Sequence, residues 1–154
     1  MTVATELEPS ERDTVIVASR LFGPITVRPD AFLTFPSGLP GFGGERRFVL
    51  LPAASSGVFW LQSADEGSVA FLLVDPFTTF PGYTVDLPEV APEDDPPMVM
   101  AVVTLPRDTD EVCTANLQAP VVLDLGRRTG RQVILADHDY GPRHSFDLRA
   151  RLAG

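Results

Sequence analysis

No window of helical length in this chain keeps an apolar stripe of 3.6-residue period without a proline or glycine inside it. Its 154 residues include 15 prolines and 12 glycines. A proline inside a helix removes a hydrogen bond and clashes with the preceding turn, so long helices are excluded. What lies between the breaks is a succession of short runs of Val, Ile, Phe and Leu, the signature of a sandwich or barrel. The expected strands are Val15–Phe22, Ile25–Val27, Phe32–Phe35, Arg47–Leu51, Val58–Gln62, Val69–Val74, Tyr83–Asp86, Met98–Leu105, Val112–Leu117, Val121–Leu125 and Arg131–Leu135. The fold class is therefore all-β: a single antiparallel, barrel-like domain with little helix.

The length suits one domain, placed at residues 15–146, with an acidic flexible leader at 1–14 and a disordered tail at 147–154. The longest apolar-rich run, Met98 to Leu105, is too short to span a bilayer. Residues 1–14 lack the basic start and apolar block of a secretory signal. A cytoplasmic location is the expectation. The single Cys113 excludes an internal disulfide and a Cys-built metal cluster.

Phe35-Pro36-Ser37-Gly38-Leu39-Pro40-Gly41-Phe42 is a stiff double turn that carries apolar anchors. Such a loop either caps a core or offers a surface to another molecule. Val121–Leu125 and Arg131–Leu135 flank Gly126–Gly130 and read as a hairpin with a longer loop. Residues 75–97 hold six prolines and, besides Asp75, the five carboxylates Asp86, Glu89, Glu93, Asp94 and Asp95 without a base, an exposed acidic excursion with one helical turn expected at Pro92–Asp95.

Net charge is −9, from 21 acids against 12 bases, all of them arginine. That balance opposes gripping a nucleic-acid backbone and favours encounter with a basic protein. Catalytic patterns are weak. Cys113 with His138 or His144 could form a thiolate–imidazole pair, but a buried inert thiol fits its strand context better. Asp137-His138-Asp139-Tyr140 and His144 match no zinc spacing. Phosphate-loop and paired-carboxylate signatures are also lacking, so neither metal nor cofactor is expected. A recognition surface remains. Phe59 and Leu61 should share one face of their strand, and Trp60 and Gln62 the other, which leaves Trp60 as a candidate contact. Asn116, in the turn after Thr114-Ala115, is expected to bond local backbone.

From Leu21 to His144 the order of motifs resembles the FliW flagellar assembly factor family. The carrying residues are Phe22-Gly23-Pro24-Ile25, Phe35 through Phe42, Arg47-Phe48-Val49-Leu50-Leu51, Phe59-Trp60-Leu61-Gln62-Ser63, Ala70-Phe71 and Val74-Asp75-Pro76. They continue with Thr114-Ala115-Asn116-Leu117, Ala119-Pro120-Val121-Val122, Arg131-Gln132-Val133-Ile134-Leu135, Tyr140 and Arg143-His144. The resemblance implies a compact, non-enzymatic barrel that binds the translational repressor CsrA and also flagellin. On that picture, binding relieves CsrA repression and couples flagellin synthesis to filament assembly. Beside that picture, the residues themselves make Phe42, Trp60, Glu93, Asp94, Asp95 and Asn116 the expected partner contacts, in a monomer that contacts neither nucleic acid nor membrane. Two other readings of the chain are a single-stranded nucleic-acid-binding barrel and a hydrolase built on Cys113 and His144. A flagellin chaperone without CsrA regulation is a third.

Overall fold

The computed structural model describes residues 14–39, 44–53, 56–87, 96–106, 112–136 and 139–153. Its strands are β1 Val15–Ser19, β2 Gly23–Val27, β3 Phe32–Thr34, β4 Arg47–Pro52, β5 Val58–Ser63, β6 Ala70–Val74, β7 Met98–Thr104, β8 Cys113–Ala115, β9 Val121–Asp124, β10 Thr129–Gln132 and β11 His144–Phe146. Two short helices, α1 Pro76–Thr79 and α2 Leu148–Ala153, and a 3-10 turn at Pro29–Ala31 complete the described elements.

Alternation in β5 sends side chains into two different cores. Leu61 and Phe59 face inward, where Leu61 is fully buried beside Phe48, Leu73 and Met100. Val58 and Trp60 face outward into a second cluster. The same period-two logic on neighbouring strands closes a seven-stranded barrel in the order β7-β6-β5-β4-β3-β10-β9, with β9 returning to β7. β7 makes closure work by changing partners along its length. Met98 and Met100 pair with Leu123 and Val121 of β9, whereas Val103 pairs with Ala115 of β8, which in turn carries β11.

The interior is filled tightly at one seam. A Cβ on Gly130 would lie 2.4 Å from Cζ of the fully buried Phe35, so β10 needs glycine there. Phe35 and Leu39 belong to this interior core, and Gly38 takes φ +66 between them. In its described part, the stiff loop is thus a packed corner.

Two layers cover the outer wall. The β1–β2 hairpin sets Val17 and Val27 against Val49 of β4. On the other side Tyr83, Leu117, Cys113 and Ala115 cover Val58, Leu72, Val74, Ala101 and Val103, with Phe80, Tyr140, Phe146 and Leu148 packed around them.

The all-β barrel expectation holds, with local corrections. Pairing is antiparallel throughout the barrel except for β3 with β10, which is parallel at Thr34–Thr129. The run Val15–Phe22 ends as a strand at Ser19, because the chain turns at residues 20–22 into β2. Tyr83–Asp86 is not a strand; the tyrosine is drawn into the outer core instead. Arg131–Leu135 shifts to Thr129–Gln132, because Thr129 and Gly130 already pair with Asp124 and Leu123 of β9. The tail expected to be disordered carries α2, with Leu148 against the outer core. α1 was not anticipated: Pro76 takes the first helical position and the Asp75 carboxylate accepts from the Phe77 N–H at 3.0 Å. The helical turn expected at Pro92–Asp95 lies outside the described residues.

Candidate protein-binding surface

At the tip of the β1–β2 hairpin the fold holds apolar side chains out toward solvent. Leu21 is 57% exposed and Phe22 47%. The Phe22 ring meets Trp60 edge-on, 6.0 Å between centroids, and Trp60 itself is half-buried. Farther along the outward face, Ile16 is 68% exposed.

A buried polar network fixes this tip. Gln62 is fully buried, and its Oε1 accepts from the Ser19 hydroxyl at 2.8 Å. Its Nε2 donates to the carbonyls of Ser63, Gly67 and Val69 at 3.0, 3.3 and 3.3 Å. The amide is thereby satisfied at both ends, which offsets the cost of burying it. Ser19 Oγ also accepts from the Phe22 N–H at 3.1 Å, so the residue bonded to the barrel wall shapes the turn that carries Phe22. The backbone is pinned as well: Arg20 N–H donates to the Gly67 carbonyl at 2.9 Å. A Cβ on Gly67 would come within 2.4 Å of the Ala18 oxygen, so only glycine lets the hairpin lie this close.

The Glu66 carboxyl, in the same turn, is held below the usual carboxylate range. Hydrogen bonds from the Ser68 hydroxyl and N–H dominate, and the Arg20 charge adds to them.

Around Tyr83 most of the aromatic layer turns inward, with Phe77 left 45% exposed against the Tyr83 ring. The Tyr83 hydroxyl donates to the Leu117 carbonyl at 2.8 Å, and its ring packs on Tyr140 at 4.7 Å. Burial pushes the Tyr83 phenol up to about 12, with the neighbouring Tyr140 adding to the shift. Thr84 N–H donates to the Tyr140 hydroxyl, and Gly141 N–H to His144 Nε2 at 2.8 Å. The Cys113 thiol is pushed up by burial and secondarily by Asp147, the reverse of an activated nucleophile. Among the described residues no three His, Cys, Asp or Glu side chains converge as a metal-ligand set. None of the described helices is long and apolar enough to cross a membrane. An open cleft of about 410 Å³ lies at one end of the barrel, between Pro96–Met98 and Leu123–Arg127.

The FliW protein family model matches residues 16–146. This chain belongs to the FliW family. It is 42% identical to a flagellar assembly factor FliW of Moorella thermoacetica over 85% of this chain and 87% of that protein. Identity to the FliW of Desulfitobacterium hafniense is 37%, over 88% and 93% of the two chains. A solved crystal structure of the flagellar assembly factor FliW superposes with a TM-score of 0.76, at 32% identity over 85% of this chain and 96% of that one.

Of the expected contact residues, Trp60 lies on the outer wall in edge contact with Phe22. Asn116 follows β8, where its side chain accepts from the N–H groups of Gln118 and Ala119 at 3.1 and 3.0 Å. Phe42, Glu93, Asp94 and Asp95 lie outside the described residues. Sequence reasoning missed Leu21 and Phe22, having absorbed Phe22 into a strand. The available signal was Gly23-Pro24 directly after two large apolar residues, a turn that strands them at a loop tip.

Charge is unevenly distributed along the sequence. Twelve of the 21 acidic residues, with only two arginines, fall at 1–13, 88–95, 107–111 and 137–138. The rest of the chain carries nine acids against ten arginines.

Proposed function

We propose that this FliW-family chain is a non-catalytic cytoplasmic regulator that binds CsrA and flagellin, relieving CsrA repression so that flagellin synthesis follows filament assembly. The observation that carries this reading is the family match across 16–146, joined to relatives described as flagellar assembly factors. A thiol pushed away from reactivity and an imidazole nitrogen committed to Gly141 favour binding over turnover. The acidic residues Glu93, Asp94 and Asp95 suit attraction of a basic RNA-binding protein. Half-buried Trp60 suits an apolar contact.

Co-elution of the purified chain with CsrA and with monomeric flagellin on a sizing column tests the proposal. Stoichiometric complexes are expected, and failure to retain either partner overturns it. The association rate with CsrA should fall steeply with added salt; a rate indifferent to ionic strength removes the steering role of the acidic run.

A further inference from the structure

We infer that the turn between β9 and β10, Leu125 to Arg128, is a strap poised to close over the cleft at the end of the barrel, and that the Arg128 guanidinium latches it back against the segment before β3.

Strain marks the latch. Among the described residues Arg128 is the one non-glycine with positive φ, at +57, a backbone conformation that clashes with its own side chain. Its Nε is buried without a hydrogen-bond partner, a second local cost. Both costs persist only because other contacts of the same residue outweigh them. Arg128 Nη2 donates to the Ala31 carbonyl at 2.8 Å, and Nη1 to the Leu125 carbonyl at 3.4 Å. One planar fork therefore grips the start of the turn and the chain leading into β3. The ladder adds little there, since β3 and β10 share the single paired position Thr34–Thr129, with the Thr34 N–H donating to the Arg128 carbonyl at 2.9 Å.

The cleft lies on the opposite side of the turn, because the sheet runs β3-β10-β9 and then β7. Pairing of β7 with β9 stops at Met98–Leu123. Pro97 and Pro96, the next residues, have no N–H with which to extend it. The two walls part there, and about 410 Å³ opens between Pro96–Met98 and Leu123–Arg127. The turn is braced to itself, with the Asp124 carboxylate accepting from the Arg127 N–H at 2.9 Å and pairing with the Arg127 guanidinium at 3.4 Å. Leu125 shares the cleft lining with the two prolines and is 43% exposed. Moving it onto the proline rings would bury apolar surface on both walls. The grip of Arg128 on Ala31 opposes that movement.

Arg128→Gly in the full-length chain is the test, because glycine takes the positive φ without strain and any loosening then reflects the missing guanidinium. Native-state amide exchange reads the latch, and hydroxyl-radical labelling reads the exposure of Leu125. Exchange at Thr34 should quicken about tenfold or more, the loss expected of hydrogen bonds to a charged group, while amides of β5 and β6 stay within about twofold. Labelling of Leu125 should fall as it covers the cleft. Arg128→Lys keeps the charge but cannot fork between Ala31 and Leu125; it should move both readouts in the same direction, and it replaces the glycine variant if that chain does not fold. Arg28→Ala removes an exposed arginine paired with Asp30 beside the same segment and should change neither readout. Unaltered Thr34 exchange in Arg128→Gly overturns the inference, as does quickening throughout the barrel. Leu125 labelling that holds steady or rises also overturns it, and so do equal changes in Arg28→Ala.

Discussion

The β1–β2 hairpin and the aromatic layer around Tyr83 both cover the outer wall of the barrel, yet different chemistry fastens them. The hairpin buries small aliphatics, Val17 and Val27, and is held by a polar network centred on Gln62. Its large apolar residues are left at the tip. The other layer buries Tyr83, half-buries Phe80, Tyr140 and Phe146 and leaves Phe77 45% exposed against Tyr83, and its two tyrosine hydroxyls tie loops to the wall. A cover gains most stability by putting its largest side chains inside, as this layer does with Tyr83. The hairpin instead buries small side chains and leaves Leu21 and Phe22 exposed at its tip.

The largest expected effect comes from cutting the network that makes the hairpin different. Gln62→Ala leaves a cavity and strands the Ser19 hydroxyl, and should cost about 3 kcal/mol in urea unfolding. A cost near zero would mean that the hairpin is held by its valines, and the contrast in fastening would vanish. Gly67→Ala asks the same question of the backbone. The new Cβ would press on the Ala18 oxygen, so the hairpin must lift, at about 2 kcal/mol. Amide exchange should quicken in β1 and β2 while β5 through β7 stay protected. Uniform quickening across the barrel would show that the hairpin is not a separable cover.

Tyr83→Phe probes the other side and should cost about 1 kcal/mol, because it deletes the bond to Leu117 and leaves the packing intact. Its clearer signature is in alkali. The folded state holds the phenol up to about 12, above its unfolded value of about 10. Stability from the neutral phenol is thus complete below about pH 10 and is lost as pH rises through the folded value. Unfolding free energy of the unaltered chain should decline across that window. The decline should be shallower in Tyr83→Phe, and equal slopes would mean that another group governs the alkaline limb.

Much of the barrel was legible because period-two alternation and Pro/Gly punctuation are local signals. β4, β5, β6 and β7 fall close to where the apolar runs place them. Closure was not legible. It depends on a one-residue parallel contact between β3 and β10 and on β7 exchanging one partner for another, neither of which has a local pattern. Gly130 offered a hint, since a glycine beside a strand often marks close approach, but its partner Phe35 is distant in sequence. Asn116 shows the converse: its bonding to nearby backbone was readable from its turn context. Trp60 was placed on the correct face of β5 by alternation, but the phenylalanine that completes its surroundings was hidden inside an overlong strand.

The smallest structural effect is expected where the contrast matters most. Phe22→Ser removes a ring already 47% exposed, with one edge contact to Trp60, and should cost only about 0.5 kcal/mol of stability. Its backbone bond to Ser19 does not depend on the side chain, so the turn should persist. If Phe22→Ser destabilised the chain as much as Gln62→Ala, Phe22 would be a core residue with an exposed edge. The hairpin would then be a cover like the Tyr83 layer. A near-silent melting curve is the pattern that keeps the two covers distinct.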